Sequence, residues 1–116
     1  MVDSATDSKF LALVATNDDK LGQLIAAMLT PLGFNVHLIR PGESRGKHIN
    51  DFALLIIDGD PVYPINNIEP AIVVISPSNH IAAYDDGADL VINKPLEANV
   101  FLARIRSVLR RYGIRL

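Results

Sequence analysis

The chain has 116 residues, enough for one domain with a single modest core, and its hydrophobic fraction of 49% favours a buried globular fold over a disordered chain. It contains no cysteine, which excludes disulfides, thiolate nucleophiles and zinc–thiolate sites and fits a cytoplasmic protein. The net charge is −2, and no apolar run approaches the roughly 20 residues of a membrane span, so we expect no contact with a membrane.

The first third of the chain predicts a strand, a helix and a second strand after a loose start. Residues 1–8 are polar and acidic, and we expect a flexible tail there, followed by a domain over residues 9–116. Residues 10–15 have the pattern of a buried strand, and residues 34–39 alternate enough for another. The helix between them is predicted by apolar residues at helical spacing and by a proline and a glycine that close it: Leu21, Leu24, Ile25, Met28 and Leu29, then Pro31 and Gly33.

The middle of the chain predicts two buried strands with unusually short connections. Residues 53–57 and 71–75 lack polar alternation, as expected of central strands in a parallel sheet. The 11 residues from 59 to 69 include two prolines, which favours an extended loop over a helix. Residues 41–50 and 80–84 leave room only for short helices.

The end of the chain predicts a short strand within residues 90–93 and then the clearest helix. From Leu96 onward one apolar stripe faces a row of arginines, and its members are Val100, Phe101, Ile105, Val108, Leu109 and Tyr112. We favour stabilisation of the helix dipole as the role of these cations over a nucleic-acid surface, because no aromatic residues are interleaved and no groove-binding motif is present. The element order predicts an α/β protein with a doubly wound, five-stranded parallel sheet.

Three apolar runs end on residues that phosphoryl chemistry can use. Asp58 follows the run at 54–57, Ser76 follows the run at 72–75, and Lys94 follows the run at 90–93. The carboxyl ends of parallel strands meet at one rim of a sheet, where ligands bind in open α/β folds. We therefore expect a carboxylate, a hydroxyl and an ammonium group to converge there.

These segments resemble the receiver domain of two-component response regulators, over about residues 10–112. The similar stretches are Phe52–Asp58, Pro70–Ser76 and Gly87–Pro95, and the helix at 102–111 is especially similar to that of OmpR/PhoB-type receivers. The resemblance implies a flavodoxin-like (CheY-like) fold, here with the third helix missing and the second and fourth shortened. It also implies a signalling protein rather than an enzyme.

The resemblance further implies a role for each residue at the rim. Asp58 would be the phospho-acceptor, Lys94 the partner of the phosphoryl oxygens and Ser76 the switch hydroxyl. In the family, Mg²⁺ held by an acidic pair and by the acceptor offsets the repulsion between carboxylate and phosphate.

The chain departs from the family where that acidic pair should stand. In a gapless register the pair falls on Thr16 and Asn17, and Asp18 comes one position too late. We favour this register and helix N-capping as the role of the segment; a slip of one residue would instead offer Asn17 and Asp18 as a pair. The candidate metal ligands are thus Asn17, Asp18 and Asp58, and Mg²⁺ is expected only if the site is functional, otherwise no cofactor.

A second set of candidates lies where OmpR/PhoB-type receivers dimerise, through the fourth helix, the fifth strand and the fifth helix of that family. Asp89 and Arg106 match one of its cross-subunit ion pairs, whereas Leu90 replaces the partner of Arg104. Val100 replaces a charged residue, which permits a more apolar contact. The resemblance thus predicts a two-fold homodimer through these residues.

Three functions follow from these observations. The favoured one is an atypical receiver, independent of phosphorylation, which acts by dimerisation or other protein contact on an attached or partner effector such as a DNA-binding domain. DNA would then be reached only through that output domain. The alternative is a Mg²⁺-dependent phospho-receiver served by a histidine kinase. A small flavodoxin-like enzyme is disfavoured, because no Gly-rich phosphate loop follows the first strand.

Overall fold

The protein forms a five-stranded parallel sheet. The computed structural model describes residues 10–43, 46–62 and 64–116, so the proposed tail at 1–8 lies outside the described residues. The strands are β1 (Phe10–Ala15), β2 (Phe34–Ile39), β3 (Leu54–Asp58), β4 (Ala71–Ile75) and β5 (Leu90–Ile92). Their order across the sheet is β2-β1-β3-β4-β5. This arrangement confirms the predicted fold class.

The described residues also form three α-helices and two 3₁₀ segments, of which the last helix follows β5 and the others connect strands. The helices are α1 (Asp19–Leu29), α2 (His80–Asp85) and α3 (Ala98–Arg111), and the 3₁₀ segments are Thr30–Leu32 and Gly46–Asp51. None of these helices is long and apolar enough to cross a membrane. The expected shortening of the second and fourth helices is confirmed, because the described residues between β2 and β3 form only a 3₁₀ segment and α2 has six residues.

One face of the sheet is covered by the two long helices. Ile25 and Leu29 of α1 and Phe101 and Ile105 of α3 are fully buried there against the apolar side chains of the strands. The apolar faces predicted for the two helices include three residues that are not buried. Leu24, Val100 and Tyr112 are 46%, 47% and 44% exposed. Helical spacing identifies a face of a helix but not how far the neighbouring sheet extends beneath it.

The opposite face has a thinner cover. Ala83 of α2 packs on it together with Ile65, which belongs to the connection between β3 and β4 and is only 2% exposed. Described residues of that connection form no helix, as its two prolines predicted. Ile65 of this loop, with the partly buried Ile68 beside it, therefore covers part of the core that a crossover helix would otherwise cover.

Candidate functional site

Asp58 is the last residue of β3, and both oxygens of its carboxylate are bonded within the chain. The Lys94 ammonium nitrogen lies 3.0 Å from Oδ1, and the Thr16 hydroxyl donates a hydrogen bond of 2.7 Å to Oδ2. The Asp58 side chain is only 12% exposed, so water competes weakly for it. The carboxylate is thus fixed by one charged and one neutral donor.

The sequence placed Thr16 at the position of the acidic pair but did not predict its hydrogen bond to Asp58. Thr16 directly follows β1, and its backbone N–H donates to the Ile39 carbonyl at 2.9 Å, which continues the β1–β2 ladder by one residue. The side chain is buried, and its Oγ1 also accepts a hydrogen bond of 2.9 Å from the backbone N–H of Asp18. The hydroxyl therefore serves as donor and acceptor at once. A hydroxyl residue at an expected carboxylate position was the available signal.

The residues after Thr16 form the start of α1. The Asp18 carboxylate caps α1 by accepting a hydrogen bond of 3.1 Å from the Leu21 N–H, as predicted for a helix start. Capping is the role of Asp18 alone, since Thr16 bonds Asp58 instead. The Asn17 carbonyl accepts a bond of 3.1 Å from the guanidinium of Arg40, which also pairs with Asp19 at 2.8 Å.

Ser76 and Lys94 meet at the same rim, as predicted. The backbone N–H of Ser76 donates to the Ile92 carbonyl at 2.7 Å, and its Oγ accepts a hydrogen bond of 2.9 Å from the backbone N–H of Lys94. Ser76 has φ +46°, a left-handed conformation that is unfavourable for a residue with a Cβ. The peptide bond between Lys94 and Pro95 is cis. Ser76 thus links the ends of β4 and β5, and its hydroxyl oxygen accepts a hydrogen bond from the backbone.

Asp60 is the remaining carboxylate close to Asp58 in the sequence, and it is also engaged. It accepts hydrogen bonds from the backbone N–H of Ser78 at 2.7 Å and from the Ser78 hydroxyl. These bonds favour the charged form and hold the pKa of Asp60 below its usual value. Asp60 thereby ties the β3 connection to the β4 connection.

These contacts do not fit a magnesium site. Among the described residues, no group of three or more histidine, cysteine, aspartate and glutamate side chains is arranged to hold a metal ion. Asp18 is turned to its helix, Asp60 to Ser78, and Asp58 to Thr16 and Lys94. Because Mg²⁺ requires oxygen ligands and gains most of its affinity from carboxylates, this donor set is poor for it.

The predicted dimer-face residues lie in different environments. Asp89 uses Oδ2 to accept hydrogen bonds of 2.8 Å from the Ile72 N–H and 2.8 Å from the Tyr112 hydroxyl. Leu90 is buried in the core, so it offers little to a partner. Val100, Arg104 and Arg106 are exposed on α3, as a contact surface requires.

Tyr112 ends α3 and is anchored by Asp89. Partial burial, together with its hydrogen bond to the negatively charged Asp89, raises the pKa of Tyr112 to about 12. A second tyrosine, Tyr84 of α2, accepts a hydrogen bond of 3.1 Å from the Val91 N–H and thus covers a donor of the edge strand β5. Both rings are partly exposed, and both use their hydroxyls to tie a helix to the sheet.

Two comparisons of sequence give no match. No protein-family model matches the chain, and a search of curated proteins gives no match.

Comparison of folds gives clear similarities. A response-regulator receiver domain from Clostridium thermocellum superposes with a TM-score of 0.73 at 18% identity, covering 90% of this chain and 98% of that one. A receiver domain of a Francisella response regulator gives 0.72 at 20% identity, with 90% and 99% covered. NtrX from Brucella abortus gives 0.70 at 20% identity, and the match covers 88% of this chain but 27% of that longer one. The chain therefore has the fold of response-regulator receiver domains.

Proposed function

We propose that this chain is a signalling domain with a receiver fold whose output does not depend on Mg²⁺-assisted phosphorylation of Asp58. One observation carries the proposal: both carboxylate oxygens of Asp58 are bonded inside the chain, to Thr16 and to Lys94. The residues that would have to recruit the metal are a threonine and an asparagine.

The chemistry of phosphoryl transfer supports this proposal. A carboxylate attacks a phosphate against mutual repulsion, and a cation has to offset that charge. At this rim Lys94 already neutralises Asp58, and the Thr16 hydroxyl adds a hydrogen bond without adding negative charge. With Lys94 already paired to Asp58, this arrangement adds no negative charge that would attract Mg²⁺.

The output would be a protein contact made by the surface of α2, β5 and α3. Ile81 and Tyr84 of α2 and Val100 of α3 are 74%, 47% and 47% exposed, so their apolar side chains are accessible to a partner. A two-fold contact through this surface would bury them in a homodimer and so position an attached or partner effector. NtrX offers a precedent for this fold as part of a longer chain.

The second candidate function is that of a phospho-receiver. The observation that favours it is the meeting of Asp58, Ser76 and Lys94 at one rim, with Lys94 3.0 Å from the acceptor carboxylate. A histidine kinase would then be a partner, and the Thr16 hydrogen bond would have to open before transfer.

Treatment with acetyl phosphate and Mg²⁺, followed by intact-mass spectrometry, separates the two functions. We expect the wild-type protein to gain no phosphoryl group, and the double variant Thr16→Asp/Asn17→Asp to gain one, because two carboxylates restore a metal site beside Asp58. Addition of Asp58→Asn to the double variant should abolish that gain. A phosphoryl group on the wild-type protein that Asp58→Asn removes would overturn the proposal.

A further inference from the structure

The two edges of the sheet are protected unequally. β5, at one edge, has three residues, and the outward N–H group of Val91 donates to the Tyr84 hydroxyl at 3.1 Å. β2, at the other edge, has six residues. It contains no proline and no charged residue, which are common devices that prevent another strand from pairing with an edge. β2 is therefore the edge that is open to a further strand.

The backbone groups of β2 that point away from β1 belong to its even-numbered residues. The Ile39 carbonyl accepts a hydrogen bond from the Thr16 N–H, so the odd-numbered residues of β2 face β1. Phe34 is buried, but Val36 is partly exposed and Leu38 is 45% exposed. Within the described residues, the N–H and C=O groups of Val36 and Leu38 have no hydrogen-bond partner. We name residues 35–38 the open edge.

The side chains of the open edge alternate between two environments, as in any strand. Val36 packs against the core cluster that α1 covers, and Leu38 lies on the same side of the sheet. Asn35 and His37 are exposed on the opposite side. A strand added here would therefore place apolar side chains beside Val36 and Leu38, and polar ones beside Asn35 and His37.

The chain around the open edge carries no charge. None of the 11 basic and 13 acidic residues lies within residues 21–39, which include most of α1 and all of β2. Arg40, the charged residue that follows this stretch, is already paired with Asp19 at 2.8 Å. A charged segment bound at the open edge would lose hydration without gaining an opposite charge, so an uncharged segment fits better.

We propose that the open edge binds an extended, uncharged segment of a partner protein, which adds to the sheet as a sixth strand. Unpaired N–H and C=O groups at the repeat of a strand match the backbone of another extended polypeptide, because that backbone supplies acceptors and donors at the same repeat. The alternation of side chains and the absence of charge then set the composition of the segment.

A partner segment fits the open edge better than a second copy of this chain does. The proposed homodimer uses α2, β5 and α3, which include the opposite edge of the sheet. A second copy bound at β2 as well would link dimers into open chains instead of a closed assembly. The inference goes beyond the proposed function, since it involves neither the rim around Asp58 nor the dimer contact.

Amide NMR of the wild-type chain, titrated with a probe peptide, tests the inference. The probe is an uncharged hexapeptide of alternating threonine and valine, blocked at both ends, and a control peptide carries aspartate in place of threonine. We expect the probe to shift the resonances of residues 35–38 and, near saturation, to slow hydrogen exchange of the Val36 and Leu38 N–H groups at least about five-fold. The aspartate peptide should bind at least about ten-fold more weakly.

Variants of Val36 distinguish strand addition from other modes of binding. Val36→Pro removes an outward N–H and leaves the hydrogen bonds between β1 and β2 in place, whereas Val36→Thr keeps that N–H in a residue of similar shape. We expect Val36→Pro to weaken binding of the probe at least about ten-fold, and Val36→Thr to change it less than about two-fold. Leu38→Asp keeps the backbone but adds a charge, and it should weaken binding as Val36→Pro does, even if the proline variant fails to fold.

Four results would overturn the inference. They are unchanged resonances of residues 35–38 at millimolar probe, equal binding of the aspartate peptide, and binding to Leu38→Asp or to folded Val36→Pro that equals binding to the wild-type chain. The fourth is self-association of the wild-type chain that Val36→Pro abolishes and Val36→Thr retains, which would assign the open edge to a second copy.

Discussion

The buried Thr16 hydroxyl distinguishes the rim of the sheet at which Asp58 and Lys94 meet. It is 4% exposed, donates to Asp58 and accepts from the Asp18 N–H, so its removal would leave two groups without their partner. We predict that Thr16→Val lowers the free energy of unfolding by about 1 to 3 kcal/mol, the cost of unsatisfied buried polar groups. Urea unfolding measures the change.

Thr30→Val is the matched control, since its hydroxyl bonds only the Ala26 carbonyl and is exposed. It should change the stability by less than about 0.5 kcal/mol. Equal effects of the two substitutions would contradict the importance assigned to the contact between Thr16 and Asp58.

The hydrogen bond from Tyr112 to Asp89 predicts a dependence of stability on pH. The folded protein raises the pKa of Tyr112 from 10.0 to about 12, so it holds the phenolic proton after the unfolded chain has lost it. The stabilisation is therefore complete below about pH 10 and is lost as the pH rises towards about 12.

We predict that Tyr112→Phe lowers the free energy of unfolding at about pH 8 by roughly 0.5 to 1 kcal/mol, the usual net value of one hydrogen bond. The difference between the variant and the wild-type protein should shrink between about pH 10 and pH 12, as followed by urea unfolding. A difference that stays constant over that range would show that the hydroxyl acts in another way.

The connection between β3 and β4 covers part of the core although its described residues form no helix. Ile65 is 2% exposed and lies among the apolar side chains of the second face, although it belongs to a loop. We predict that Ile65→Ala costs about 2 to 3 kcal/mol of stability, the lower part of the range for such truncations because a loop can relax into the cavity.

Val62→Ala in the same connection is the control, since Val62 is 60% exposed. Its effect on thermal or urea unfolding should stay within about 0.5 kcal/mol. A similar loss from both substitutions would mean that the connection contributes as a flexible cover and that Ile65 fills no specific position.

The elements themselves were predictable because their signals are local. Strands β1, β2 and β4 have the predicted limits, and Asp18 caps α1 as the polar start indicated. The hydrogen bond between Thr16 and Asp58 was not predictable, because it joins residues 42 positions apart and depends on which hydroxyl rotamer the buried rim permits. For the same reason the sequence did not reveal that Asp89 bonds Tyr112.

At the scale of the whole molecule, the proposed homodimer depends on exposed apolar side chains around Val100. A glutamate at that position would place a charge in the contact, so we predict that Val100→Glu weakens dimerisation at least about ten-fold, or about 1.4 kcal/mol. Sedimentation of the two proteins over a range of concentrations measures the change.

Leu24→Glu gives a matched control on the other long helix, because Leu24 is 46% exposed and Val100 is 47% exposed. This control should dimerise like the wild-type protein. A wild-type chain that remains monomeric at high concentration would remove the dimer from the proposal, and an equal effect of both substitutions would place the contact elsewhere.

We propose that the rim formed by Thr16, Asp58 and Lys94 does not respond to Mg²⁺ or to a phosphoryl group. A two-dimensional amide NMR titration of the wild-type chain with Mg²⁺, and then with beryllium fluoride as a mimic of aspartyl phosphate, tests it most directly. We predict an unchanged spectrum, because Thr16 and Lys94 already hold both oxygens of Asp58. Shifts at Asn17, Asp58 and Ser76 that spread into α2 and α3 would contradict the account and establish a working phospho-receiver.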